Sequence, residues 1–176
     1  MGHPYDTWLS KTDGFYWPAH VINEIPNARV MTFGYDADPK SFLGQVSQNR
    51  LGDHARNLLQ DLARERTKSA AKQRPILFVA YSLGGLVVKK ALSDAVHYSD
   101  ASKHLKVVAA NTRGVAFLGT PHAGSGLATL PEIASRFLRG VNVNQDLSRT
   151  LKVDSEMLGE TTIAFGQLLE TRKESK

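Results

Sequence analysis

A serine lies where an apolar stretch of the sequence ends and a helical pattern begins. Residues 79–86, VAYSLGGL, place Ser82 at this junction, with the small residues Ala80 and Gly84 on either side of it. A sharp strand-to-helix turn lifts a serine hydroxyl clear of a sheet, and small neighbours let the strand and the helix pass closely. Ala80 stands where this pattern usually has glycine, which adds one methyl group at the crossing. The pattern predicts a nucleophilic Ser82; the alternative is a serine that caps a buried helix.

The residue after the serine, Leu83, is expected to contribute its backbone N–H to the site. At the start of the predicted helix, the backbone N–H of Leu83 would point at a developing oxyanion and would be supported by the helix dipole. We therefore expect Leu83 to stabilise the negative charge that forms when Ser82 attacks a carbonyl carbon.

Three histidines follow Ser82 and are candidates for its base. His97 falls nearly four turns along the predicted helix, roughly 20 Å from Ser82, which is too far for proton transfer. His104 lies in a polar connection and is interpreted as a solvated loop residue. His122 follows the carboxyl end of a predicted neighbouring strand, at the sheet edge where ligands gather, and is the remaining base candidate. No orienting acid can be named: Asp154, Glu156 and Glu160 read as surface charges of a helix.

The elements that must position these residues alternate between strand and helix. Strand-like segments occur at 28–35, 75–81 and 113–119, and helical periodicity occurs at 51–63, 86–95 and 127–138. Residues 161–165 fit a strand or a helix equally. This order predicts an α/β fold, a partial three-layer core with a mostly parallel sheet and helices on both faces. A single domain over 1–176 is expected, with about eight frayed residues at its end.

Composition excludes several kinds of chemistry. The 176 residues contain no cysteine, so disulfides, thiolate metal sites and a cysteine nucleophile are excluded. No metal-binding, cofactor or phosphate-loop motif is present. The net charge is +5, but the basic residues are mixed with acidic ones and do not form a single patch, so no nucleic-acid partner is expected. No apolar run is long enough to span a membrane, and the first 25 residues lack a secretory pattern, so a cytoplasmic location is expected.

Two longer motifs carry a resemblance to a known family. Residues 74–92, RPILFVAYSLGGLVVKKAL, and 114–125, GVAFLGTPHAGS, resemble the lipase-like α/β-hydrolase family. The likeness is strongest to the SesB-like serine-esterase domains of fungal NLR-type and ankyrin-repeat proteins, which are relatives of GPI inositol-deacylase. Residues 2–8 and 28–37 also fit, so the resemblance covers most of the chain. Tyr81 departs from the family, which usually has histidine before the nucleophile.

The resemblance implies a serine esterase that acts on a small ester or lipid substrate, with no cofactor. It implies that Gly2 borders the oxyanion hole, since a His-Gly segment of the family lies just before this position. It also implies a catalytic acid and a later histidine, and neither is matched in this sequence. The family carries a histidine at the place of His122 beside its separate catalytic one, which favours a site-lining or loop-fixing role for His122.

Two functions follow as expectations. The first is a serine-hydrolase domain, truncated at both ends and inactive if its missing acid and histidine are not supplied. The alternative is a non-catalytic interaction or signalling module that retains the hydrolase scaffold, fused to or assembled with NLR-type domains. Peripheral membrane contact is compatible with either function.

Overall fold

The computed structural model describes residues 4–35, 45–69, 71–120, 122 and 147–174. The chain divides into two compact units, Met1–Asp38 and Pro39–Lys176, each of which is described by itself. Among the described residues, no helix is long and apolar enough to cross a membrane.

The first unit is built around aromatic contacts and one short helix. Helix α1 spans Trp17–Glu24 and has a proline in its first turn, where a missing N–H costs no hydrogen bond. The rings of Tyr5 and Tyr16 stack with centroids 4.4 Å apart, and those of Trp8 and Trp17 meet edge to face at 5.5 Å. The aromatic residues of this segment therefore pack against one another.

The prediction of a strand at 28–35 is wrong. These residues have no strand assignment, and the β-bridge found in this unit joins Leu9 and Tyr16 instead. A β-branched and aromatic composition favours an extended backbone, but a strand requires a partner for its N–H and C=O groups. Composition alone could not show whether this segment joins a sheet.

The second unit contains the strand–helix alternation. Its elements, in chain order, are α2 (Gln45–Lys68), β1 (Ile76–Tyr81), α3 (Gly84–Ala95), a 3₁₀ turn (Asp100–Ser102), α4 (Lys103–Asn111), β2 (Thr112–Leu118) and α5 (Leu147–Glu174). The helices predicted around 51–63 and 86–95 and the strands predicted at 75–81 and 113–119 are confirmed. Residues 161–165, which fitted either type, are helical, and the helix predicted at 127–138 lies outside the described residues.

The described sheet has two parallel strands. β1 pairs with β2 in a register that sets Leu77 opposite Gly114 and Tyr81 opposite Leu118, with an irregularity after Ile76. The connection between them carries α3 and α4, as a parallel crossover requires. An α/β arrangement is compatible with this topology, whereas a full three-layer hydrolase core is not seen in the described residues.

The core lies where the helices meet β1. The α2 side chains predicted to form its apolar stripe are buried, with the exception of Leu62, which is half-buried. Helix α3 is buried on nearly all sides because it packs against α2, α5 and β1. The nucleophile candidate therefore precedes the most deeply buried helix of the unit, which limits how far the turn before it can move.

One face of the sheet remains uncovered. Leu77 is 71% exposed, Val79 40% and Tyr81 49%, and these alternate residues of β1 share one face. Leu118, opposite Tyr81 on β2, is also exposed. The expected helical cover on both faces is therefore not met within the described residues. The unbroken apolar run predicted burial on both sides, but it could not show whether a second layer is present.

An arginine near the end of α2 fixes the connection that leads into β1. Arg66 is only 5% exposed, and its guanidinium donates hydrogen bonds to the carbonyl oxygens of Lys72 and Arg74, at 2.7 and 2.6 Å. Burial and the neighbouring Arg74 lower the pKa of Arg66. The two carbonyl oxygens of the connection thus serve as hydrogen-bond acceptors for a buried cation.

A second arginine attaches α5 to the rest of the unit, and its removal is expected to be costly. Arg172 donates to the carbonyl oxygens of Thr112, at 3.2 Å, and Ala109, at 2.5 Å, where α4 passes into β2. Arg172→Met should lower the free energy of unfolding by about 1.5–3 kcal/mol, because both carbonyls lose a charged donor. Urea denaturation measures this loss. Lys173→Met, at an exposed neighbour, is the control and should change stability by at most about 0.5 kcal/mol; equal losses in both variants would contradict the prediction.

Candidate active site

The chain turns sharply at Ser82. Strand β1 ends at Tyr81, helix α3 begins at Gly84, and the backbone of Ser82 has φ = +51°. Ser82 is the one described residue other than glycine with a positive φ. A left-handed conformation is unfavourable for an L-residue with a side chain, so the turn holds Ser82 under backbone strain. The sharp strand-to-helix turn predicted at position 82 is present.

A hydrogen bond joins this turn to the neighbouring strand. The backbone N–H of Ser82 donates to the carbonyl oxygen of Leu118, the last residue of β2, at 2.9 Å. The parallel ladder thus continues one residue past the end of β1. Ser82 is therefore fixed beside the segment that leaves β2.

Ser82 is a buried residue. It is 8% exposed, and within the described part of the chain no hydrogen bond to Oγ is found. The lift of the hydroxyl clear of the sheet therefore stays a prediction of the sequence.

Leu83 lies at the amino end of α3. It is the N-cap residue, with φ = −59° and ψ = −25°, and its carbonyl oxygen accepts bonds from Leu86 and Val87. The first N–H groups of a helix have no acceptor inside the helix. The Leu83 N–H is thus placed at the positive end of a 12-residue helix, beside Ser82.

Gly85 and Thr120 fit tightly against each other. A Cβ atom built on Gly85 would lie 2.0 Å from Thr120 Oγ1 and 2.7 Å from Thr120 Cβ, so only glycine fits at this position. Gly119, with φ = +60°, turns the chain between β2 and Thr120. This contact is the second attachment between the start of α3 and the segment after β2.

His122 contacts helix α3 at Lys89, which lies one helical turn beyond Gly85. Its Nδ1 is 2.9 Å from Lys89 Nζ, and its ring meets that of Phe117 edge to face with centroids 5.3 Å apart. The His122 ring is exposed, whereas Lys89 is 1% exposed. No contact between Ser82 and His122 is found in the described residues. Desolvation, and next the charge of Lys89, lower the pKa of His122.

The structure brings together some of the residues that the sequence singled out. Ser82, Leu83 and the segment leading to His122 lie at the same end of the two paired strands. Gly2 lies outside the described residues, so its place at the oxyanion hole stays a prediction. His97 lies in the turn two residues past the end of α3, so its assignment to the helix is wrong. His104 is exposed but lies in the first turn of α4, so its assignment to a loop is wrong.

Sequence reasoning missed Lys89 and Thr120. Lys89 lies three residues from both Leu86 and Leu92 and thus within the apolar stripe of α3, where a lysine is uncommon. This position was the available signal for an unusual role. Thr120 carries no comparable signal, because a threonine after a strand is ordinary and its contact with Gly85 depends on the turn at Gly119.

Other kinds of site have no support in the described residues. No group of three histidine, aspartate or glutamate side chains there could hold a metal ion. A depression lined by residues 67 and 72–75 lies at the amino end of β1. It is therefore at the opposite end of that strand from Ser82 and takes no part in the candidate active site.

Lys89→Met is expected to reduce the rise of the free energy of unfolding with pH in the alkaline range. Burial lowers the pKa of Lys89 below its ordinary value of 10.5. Between the folded-state pKa and 10.5 the unfolded chain binds more protons than the folded chain, so the free energy of unfolding rises with pH there. Below that window the cost of burying the charge is fully present, and methionine removes it.

Denaturation by urea between neutral pH and about pH 10.5 measures this difference. The wild type should gain stability relative to Lys89→Met as the pH rises. Lys90→Met is the matched control, because Lys90 is less buried and pairs with Asp94 at 2.7 Å. Parallel profiles for the wild type and Lys89→Met would contradict the prediction.

Comparison with known proteins finds similarity to Protein SERAC1. The zebrafish (Danio rerio) protein is 31% identical over 113 residues, and the human (Homo sapiens) protein is 29% identical over the same length. These matches cover 64% of this chain but only 17% and 16% of the relatives. No family model and no solved structure matches the chain. The chain is therefore similar to a segment that makes up about a sixth of each of these longer proteins.

Proposed function

We propose that this domain is a serine hydrolase that cleaves carboxylic esters or lipids through an acyl-serine intermediate. The observation that carries the proposal is the turn at Ser82, where a strand passes into a helix through a left-handed serine. Such strain is rare for a residue with a side chain and is concentrated at functional sites. A serine that only capped a helix would not require a positive φ, since N-cap residues typically have φ in the negative range.

The neighbouring groups suit the first step of ester cleavage. Ser82 Oγ would attack the ester carbonyl carbon, its proton would pass to a base, and the carbonyl oxygen would become an oxyanion near the Leu83 N–H. Collapse of this intermediate would break the bond to the leaving alcohol, which takes a proton. Water would then hydrolyse the acyl-serine and regenerate Ser82. The hydrogen bond from Ser82 N–H to Leu118 would hold the nucleophile in place during both steps.

The base for Ser82 is the missing part of this mechanism. Within the described residues no imidazole or carboxylate bonds to Ser82 Oγ, and a serine without a base is a weak nucleophile at neutral pH. The mechanism therefore requires a base from outside the described residues. The similarity to a segment of SERAC1 proteins is compatible with a domain that works as part of a longer chain.

Because no base bonds to Ser82 Oγ within the described residues, a second candidate is a non-catalytic interaction module. A hydrolase scaffold without a base would keep the turn at Ser82 but not its chemistry. The uncovered face of β1, with Leu77, Val79 and Tyr81, would then serve as a contact surface. A cytoplasmic location and assembly with NLR-type domains stay predictions of the sequence under either candidate.

Fluorophosphonate labelling distinguishes the two candidates. An activated serine attacks the phosphorus and displaces fluoride, which leaves a stable adduct on the nucleophile. We expect mass spectrometry of the digested protein to find this adduct on Ser82, and we expect no adduct on Ser93, which is buried in the following helix. A folded chain that stays unlabelled would overturn the hydrolase proposal and support the interaction module.

A further inference from the structure

Lys89 is a buried cation whose neighbours in the described residues are all neutral or aromatic. Its Nζ lies 2.9 Å from His122 Nδ1, 3.3 Å from Thr162 Oγ1 and 5.6 Å from the centre of the Phe117 ring. These groups come from three places: the segment after β2, helix α5 and strand β2. No carboxylate of the described residues lies within ion-pairing distance of Nζ.

Each of these neighbours suits a protonated amine. An ammonium group has three N–H donors and no acceptor, and here it meets two acceptor atoms and the negative face of an aromatic ring. A charge buried without a carboxylate must be stabilised by such contacts. The hydrogen bond to His122 is the shorter of the two, so the state of His122 depends directly on Lys89.

The direction of this hydrogen bond fixes the proton on His122. Because Lys89 donates, His122 Nδ1 must accept and carries no hydrogen, so the ring proton of the neutral imidazole lies on Nε2. A second proton on Nδ1 would place two cations 2.9 Å apart and would break the bond. The contact therefore selects one tautomer and opposes the charged form.

We propose that Lys89 is a positioning residue that holds His122 as a neutral imidazole with its proton on Nε2, so that His122 Nδ1 is occupied by Lys89 and His122 does not act as the base for Ser82. The buried Lys89 acts only through His122. The consequence for ester cleavage rests on the proposed function.

The tautomer is tested by NMR of the histidine side-chain nitrogens in the full chain. Long-range ¹H–¹⁵N correlation should show His122 with protonated Nε2 and unprotonated Nδ1 at neutral pH, assigned by its loss in His122→Gln. In Lys89→Met the tautomers should mix and the pKa of His122 should rise towards its ordinary value. Lys90→Met should leave the wild-type pattern, since Lys90 pairs with Asp94.

Several outcomes would overturn the proposal. These are a wild-type His122 protonated on Nδ1, a charged His122 at neutral pH, or a Lys89→Met variant with an unchanged spectrum. The wild-type spectrum alone decides the tautomer if Lys89→Met does not fold.

Ester turnover then tests the role of His122 in the reaction. Glutamine cannot act as a base, so His122→Gln should keep ester turnover within about tenfold of the wild type, the effect of losing one hydrogen bond. A loss of about three orders of magnitude in His122→Gln, as expected for removal of the base, would overturn the proposal. If the wild type neither labels nor hydrolyses, the proposed function fails, and the NMR result still decides whether Lys89 fixes His122.

Discussion

Gly85→Ala is expected to destabilise the domain by about 3 kcal/mol or more. The added methyl group would lie 2.0 Å from Thr120 Oγ1, 2.4 Å from Cγ2 and 2.7 Å from Cβ. Rotation of the Thr120 side chain cannot relieve the last of these contacts, because Cβ moves only with the backbone. At about 2–4 °C per kcal/mol, thermal unfolding should show a fall in Tm of about 6–12 °C or more.

A compensating variant and a matched glycine make this prediction specific. Thr120→Gly removes all three crowding atoms, so the double variant Gly85→Ala, Thr120→Gly should regain most of the loss. Gly52→Ala, in the interior of α2, meets no atom within 4 Å and should gain up to about 1 kcal/mol from helix propensity. A Gly85→Ala domain as stable as the wild type would show that Thr120 does not pack against α3 in this way.

The part of the fold that the sequence predicted well is the part where local pattern and packing agree. The stripe of α2 and the buried face of α3 follow helical periodicity, and both form because burial of those faces is what stabilises them. β1 and β2 are apolar runs closed by polar or glycine-containing turns. The turn at Ser82 could be predicted because strand, small residues and helix follow one another directly in the sequence.

The parts that could not be predicted depend on contacts between distant residues. Residues 28–35 have the composition of a strand but have no strand assignment. The exposure of Leu77 and Val79 depends on whether a second layer covers that face, which no local pattern reports. The pairing of Lys89 with His122 joins residues 33 positions apart through the turn at Gly119. Such contacts follow from the tertiary fold and not from the residues themselves.

Ser82→Ala is expected to abolish fluorophosphonate labelling and to lower ester turnover by about three orders of magnitude or more. The substitution removes the only atom proposed to attack the ester, while the Leu83 N–H and the rest of the site remain. Mass spectrometry of the probe-treated protein and spectrophotometric assay of a p-nitrophenyl ester measure the two effects. An unchanged rate in Ser82→Ala would assign any turnover to another group.

Stability should show that activity and strain at this residue are separable. Alanine at φ = +51° keeps the unfavourable left-handed backbone, whereas glycine adopts it without strain. The free energy of unfolding of Ser82→Gly should therefore be about 1 kcal/mol higher than that of Ser82→Ala, although neither variant is active. Ser93, in the interior of α3, is the matched control. There the order should reverse: the free energy of unfolding of Ser93→Ala should be about 1 kcal/mol higher than that of Ser93→Gly. If alanine were also the more stable replacement at position 82, the backbone there would not be strained. The turn would then no longer distinguish a nucleophile from an ordinary helix cap, and the hydrolase proposal would lose the observation that carries it.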